Sequence, residues 1–252
     1  MGGSYLKKKW HTLLVCKNTE ANIGGLSFVG LLCKNLRVSK TAIVNAIECI
    51  GNSITSGTGS DQSDVPCGKG SWYDQHNAYK SYGMVLARKL NAQVHLSSVS
   101  GIGLMHSCCN LPVIMPTVFD KINMSENKIS WNFARYQPSI VTICLGQNDG
   151  MQDSAIFVRS YVRFLQDLRK VYPAANFICL SSPMADANLK AFMVKTIKSV
   201  VTALTSAGDH KVSSYFFQKS YNAGCDGHPS LEEHEAIATE LEIYLRKNFF
   251  SL

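Results

Sequence analysis

From about residue 44 onward, short apolar runs of strand length alternate with longer segments of helical period. The strand-like runs are AIECIG (46–51), QVHLSSVS (93–100), SIVTICLG (139–146), NFICLSS (176–182) and KVSSYFF (211–217). Helical patterns fall between or after them at 74–90, 154–171, 186–205 and 231–247. In the second, Phe157, Tyr161, Phe164, Leu165 and Leu168 recur near i, i+4, i+7, i+8 and i+11, one face of a helix. Asp153 is placed to cap that helix and Pro173 follows its expected end. Strands alternating with helices of this length predict parallel βαβ units in a three-layer α/β/α sandwich.

The first forty or so residues have a different texture. WHTLLVCKN (10–18) and GGLSFVGLLC (24–33) are β-rich runs, with a Gly-Gly break opening the second. They predict two or three antiparallel strands. The chain therefore reads as a small β part over 1–43 and an α/β domain over 44–252. At 252 residues it is long enough to bury a sizeable core.

Composition narrows the function little. With 46% hydrophobic and 17% charged residues the chain is an ordinary globular one. The net charge of +7 is spread along the sequence apart from Lys7-Lys8-Lys9, so a solvated basic surface is favoured over a nucleic-acid partner. No apolar run reaches the roughly 20 residues that span a bilayer. The opening MGGSYLKKKWH lacks an apolar h-region, so no signal peptide is read there. Nine cysteines at irregular spacing argue against a disulfide framework while leaving one or two bridges open. Cys49, Cys144 and Cys179 lie inside apolar runs and are expected to act as small core hydrophobes.

In open α/β sheets, sites form at the carboxyl ends of strands. Read there, the sequence offers Asn52-Ser53 after the first run and Ser100-Gly101-Ile102-Gly103 after the second. Gln147-Asn148-Asp149 follows the third, and GCDGHPS, with Cys225, Asp226 and His228, precedes the last helix. Each alone has a bland reading: Ser53 as a helix cap, Asn148-Asp149 as a cap and turn, His228 as a surface turn residue. Together they supply what acyl transfer to a serine needs. A hydroxyl is a weak nucleophile until a base takes its proton. The oxyanion needs fixed donors, each worth about 10²–10³ in rate. Those donors would be the Ser53 and Gly101 N–H groups and the Asn148 amide, with Gly103 competing for the role of Gly101.

The segments GNSIT, VSGIG, LGQND and DGHPS resemble the four sequence blocks of the SGNH (GDSL-type) hydrolase superfamily. The resemblance implies Ser53 as nucleophile, Gly101 and Asn148 in the oxyanion hole and His228 as general base. Asn52 stands where that superfamily usually has Asp. Cys225 occupies the usual triad-acid position, three before His228. Asp226, two before it, is the acid assigned here; a backbone carbonyl orienting the imidazole is the alternative. Between the blocks, YKSYGMVLARKLNAQVHLSSVSGIGL and SWNFARYQPSIVTICLGQNDG are similar to carbohydrate esterase family 2. WHTLLVCKNTEANIGGLSFVGLLC is similar to the end of that family's N-terminal jelly-roll, here shortened. This resemblance implies a deacetylase of xylan-like polysaccharide, without cofactor or metal, and a secreted or periplasmic setting.

Other motifs fail. GTGSDQSDVPCGKGS lacks the Ser or Thr after Gly68-Lys69 that a phosphate loop requires. His106, Cys108, Cys109, Cys225 and His228 lack paired metal-ligand spacing. Ser53 lies in G-x-S-x-x, not the G-x-S-x-G elbow. Trp72, Tyr73, Trp131 and Tyr136 could stack on a sugar or simply pack; Trp131 is assigned to substrate binding. Two rival functions stay open: an esterase, lipase or thioesterase of the same superfamily on another substrate, and an inactive carbohydrate-binding relative.

Overall fold

The computed structural model describes residues 13–33, 35–37, 45–126 and 128–250. Five strands, β1 (Asn45–Gly51), β2 (Ala92–Ser98), β3 (Ile140–Cys144), β4 (Asn176–Leu180) and β5 (Val212–Tyr215), form one parallel sheet in the order β2-β1-β3-β4-β5. All five were expected, each within a few residues of its observed bounds. Six α-helices accompany them among the described residues: α1 (Ser53–Ser56), α2 (Tyr82–Lys89), α3 (Met115–Val118), α4 (Ser154–Val171), α5 (Ala187–Ser206) and α6 (Leu231–Asn248).

Layering follows from which residues each strand presents to which face. Ile47 and Cys49 of β1 pack into a cluster with Leu86 of α2 and Leu241 and Leu245 of α6. Ile50 of β1, Val141 and Ile143 of β3 face the other way, against Phe164 and Leu168 of α4 and Met193 and Ile197 of α5. The alternation of the pleat thus sends neighbouring residues into two cores and gives the expected α/β/α sandwich. Cys49, Cys144 and Cys179 are buried free thiols, and burial pushes each up to about 12. Glu48, buried in the interior strand β1, is held by hydroxyls donated from Ser97 and Tyr172, each at 2.6 Å.

Helix signals were obeyed at the long elements. Asp153 accepts from Ile156 N at 2.9 Å, Asp186 from Leu189 N at 2.8 Å, and Ser230 forms a capping box with Glu233. The expected helix over 74–90 is shorter. Asn77 caps a 3-10 turn, Ala78–Lys80, and α2 begins only at Tyr82. The preceding stretch folds as a loop because Gln75 donates to the carbonyls of Pro66 and Lys69.

The N-terminal expectation is not met in what is described. Trp10 to Thr12 and residues 38–44 lie outside the described residues, and 13–33 contain no strand. Phe28, Val29 and Leu32 are exposed, Val29 at 98%. β propensity needs a partner ladder, and no described segment pairs with this one.

Candidate active site

The strand order changes direction between β1 and β3, with β2 beside β1. Such a switch leaves a crevice at the carboxyl ends of adjacent strands. Ser53 follows β1, Gly101 follows β2 and Asn148 follows β3, so three residues distant in sequence emerge side by side. Gly51 at the end of β1 pairs with both Ser98 and Cys144.

Ser53 is the first residue of α1, and Asn52 caps that helix by accepting from Ile54 N at 3.1 Å. The asparagine at the superfamily's usual aspartate position therefore serves the backbone through its carbonyl oxygen. Ser53 N–H lies in the first turn, where helical N–H groups have no intrahelical partner. The side chain is buried, and its Oγ lies 2.9 Å from His228 Nε2.

His228 Nδ1 lies 3.2 Å from the Cys225 carbonyl. A carbonyl can only accept, so Nδ1 carries the proton and Nε2 is free to receive that of Ser53. Burial lowers the His228 pKa below its usual range, partly opposed by that carbonyl and by the Asp226 charge. The ring is therefore neutral at neutral pH, as a general base must be. The 3-10 turn Cys225–Gly227 that carries it is tightly tied. Cys225 N–H donates to the Gly59 carbonyl at 2.8 Å, and a disulfide joins Cys225 to Cys67. Glu233 of α6 accepts from Ala223 N and Ser230 N at 2.8 and 3.0 Å, fixing both sides of the turn.

Asp226 requires a correction. It is exposed and adopts a left-handed backbone, φ 53°, and the atom at Nδ1 is the carbonyl of its predecessor. The turn aims the main chain at the ring, leaving the Asp226 charge as a weaker, through-space influence. Among the described residues the geometry is a Ser–His dyad oriented by a backbone carbonyl.

Gly101 has φ 83°, a backbone that favours glycine, and an added Cβ would lie 3.1 Å from Cys108 Sγ. Gly103 N–H is already committed to Ser107 Oγ at 3.0 Å, so the competing donor is Gly101. Asn148 donates one amide hydrogen to the Ile102 carbonyl at 2.8 Å, which orients the group and leaves its second hydrogen for an oxyanion. Asp149, buried beside it, accepts from Leu104, Met105 and His106 N–H groups at 2.9, 2.6 and 3.0 Å. It pins the β2 loop to the β3 loop. Its place next to Asn148 was visible in the sequence, but this clamping role was not.

Trp131 is not brought to this site. It packs against His95, in the middle of β2, with ring centroids 5.3 Å apart. His95 pairs with Glu48, three residues before the end of β1. Trp72 stands instead beside His76, which feels the charge of His228. It is 55% exposed and stands edge-on to His76 at 4.5 Å. His76 is buried with both ring nitrogens unpartnered among the described residues. Burial, and next the charge on nearby His228, lower it to about 4.

A strand-end serine bonded to an imidazole, on an open parallel sheet with an asparagine at the neighbouring strand end, defines a serine acylhydrolase scaffold. The chain belongs to the GDSL-like Lipase/Acylhydrolase family, whose model matches residues 49–230. It is 31% identical over 246 residues to the cellulase/esterase CelE of Acetivibrio thermocellus, covering 92% of this chain and 29% of that protein. An acetylxylan esterase / glucomannan deacetylase of Cellvibrio japonicus is 29% identical over 209 residues, covering 79% of this chain and 55% of that protein. The chain thus spans about half or less of the length of these two curated relatives. A solved structure of a family two carbohydrate esterase from Clostridium thermocellum, in complex with cellohexaose, matches with a TM-score of 0.76 and 27% identity. That match covers 84% of this chain and 67% of the other. No helix among the described residues is long and apolar enough to cross a membrane.

Proposed function

We propose that the protein is a serine esterase that removes O-acetyl groups from carbohydrate, acting on a xylan-like or mannan-like polysaccharide or its oligosaccharides. The observation that carries the reaction type is the 2.9 Å contact between Ser53 Oγ and a neutral, half-buried His228. Ser53 attacks the acetyl carbonyl as His228 Nε2 takes its proton. The tetrahedral oxyanion is held by Ser53 N–H, Gly101 N–H and the free Asn148 amide hydrogen. His228 then protonates the departing sugar oxygen, and water activated by the same nitrogen releases acetate. The Cys225 carbonyl keeps the imidazole in the required tautomer throughout.

Support for the substrate class comes from the activities named for the Cellvibrio relative and from the sugar bound in the Clostridium structure. Trp72, exposed and packed on His76, which lies within reach of the His228 charge, is the side chain suited to stack on a sugar ring. The same reading divides the chain into a leading segment over 1–43 and the hydrolase domain over 44–252. The disulfide at the base-bearing turn is consistent with work in an oxidising compartment, secreted or periplasmic.

The test is acetate release from acetylated xylan, mannan and glucan, alongside an aryl ester series from acetyl to octanoyl. A deacetylase loses turnover beyond propionyl. Turnover that rises with chain length would instead assign a lipase-type substrate, and no release or phosphonate labelling at Ser53 would leave a binding protein.

A further inference from the structure

We infer that Glu20, from the segment preceding the hydrolase fold, is a positioning residue of the oxyanion hole; this rests on the reading of Ser53 and Gly101 given above. Most of the described segment around it is exposed: Leu13, Leu14, Leu26 and Val29 all face outward. Among the described charged residues of that segment only Glu20 is buried, at 9% exposure. Burying a carboxylate is costly unless donors meet it, and here they come from the loops that bear the site. Ser100 N–H donates to Glu20 Oε2 at 2.8 Å, and the Ser100 hydroxyl donates to Oε1. Thr58 Oγ1 reaches the same oxygen at 3.4 Å and lies 2.7 Å from Ser100 Oγ.

Those contacts fall on two sensitive places. Ser100 immediately precedes Gly101, so fixing its N–H and its side chain constrains the peptide that aims the Gly101 N–H. Thr58 follows α1, and its N–H closes on the Ser53 carbonyl at 3.0 Å. One carboxylate therefore couples the nucleophile's turn to the oxyanion-hole turn. Glu20 is itself held. Lys17 Nζ donates to the Ile23 carbonyl at 2.8 Å and to the Thr19 hydroxyl at 2.7 Å, and the Asn18 carbonyl accepts from Ala78 N–H at 3.0 Å. A negative charge beside a developing oxyanion would by itself oppose the reaction, so the contribution is geometric rather than electrostatic. That distinction makes it testable.

Turnover of an aryl acetate by the full chain is measured for Glu20→Ala, Glu20→Asp and Glu20→Gln. Removing or shortening the side chain is expected to lower kcat by about 10- to 100-fold, on the scale of a misplaced oxyanion donor, with KM within two-fold. Gln retains an oxygen to accept from Ser100 N–H and is expected to recover kcat to within about five-fold of wild type. If Glu20→Ala does not fold, Glu20→Asp carries the same comparison. Wild-type kcat in the Ala or Asp variant overturns the inference. So does a Gln variant faster than wild type, which would make the charge a hindrance, or a loss confined to KM. Ser53→Ala run in parallel separates the two levels. If it stays active, the underlying reading fails; if it is dead while the Glu20 variants are unaffected, only the role of Glu20 fails.

Discussion

Ser53, Gly101 and Asn148 stand at the ends of three adjacent strands, whereas His228 arrives on a 3-10 turn well beyond the last strand. The strand-end residues are placed by the ladder itself: once β1 pairs with β2 and β3, their loops must emerge together. The histidine has no such ladder. Its turn is held by a disulfide, by one backbone bond to Gly59 and by the Glu233 carboxylate of α6. A sheet can position several groups at once through cooperative pairing, while a loop needs separate tethers for each degree of freedom. Damage to the first side should resemble loss of a chemical group. Damage to the second should resemble loss of aim.

The contrast is broken most severely at the two groups that meet across it. His228→Ala is expected to lower kcat by about 10⁴- to 10⁶-fold, as in other serine hydrolases that lose their base, with the fold intact by circular dichroism. Retention of more than a few per cent of turnover would mean that another group accepts the Ser53 proton. On the strand side, Asn148→Ala should cost about 10²–10³ in kcat with little change in KM. A loss seen mainly in KM would show that the amide binds substrate and not the oxyanion.

Cys67 is exposed, so a dithiol can reach the bridge to Cys225. Reduction, or Cys67→Ser, is expected to lower kcat by about 10- to 100-fold as the imidazole loses its aim. Reoxidation should restore only the reduced wild type. Unchanged turnover on reduction would leave the backbone bonds as sufficient tethers.

The smallest effect concerns Asp226. Burial lowers the His228 pKa and the Asp226 charge raises it. The acid limb of kcat/KM should therefore lie below the ordinary imidazole value of about 6.5, since a depressed pKa keeps the base neutral to lower pH. Asp226→Asn removes an opposing influence, so the limb should move lower still, with less than about three-fold change at neutral pH. A large loss at neutral pH would restore Asp226 as a triad acid.

Much of this was legible along the chain. The apolar runs of strand length and the 3.6-residue period of 154–171 located the sheet and its long helices, because burial on both faces of a strand and on one face of a helix dictates those patterns. The rule that sites lie at strand ends then singled out Ser53, Gly101 and Asn148, with His228 read from the stretch before the last helix, and the fold brings all four loops to one end of the sheet. The N-terminal runs misled. Their β propensity was real, but Phe28 and Val29 have no ladder to join among the described residues.

The layer order and the residue types available for acyl transfer follow from the chain alone, because local periodicity and the hydroxyl, amide and imidazole groups are written residue by residue. Only the tertiary structure decided which atoms touch. It set a carbonyl of Cys225 instead of a carboxylate of Asp226 at the imidazole, Gly101 instead of Gly103 free to donate, and Trp131 against His95 away from the serine. It also drew Glu20 across eighty positions to Ser100 and Cys67 across 158 to Cys225. Backbone atoms carry no side-chain signature, and long-range pairings depend on how loops close in space. Neither is encoded in the local pattern from which elements are read.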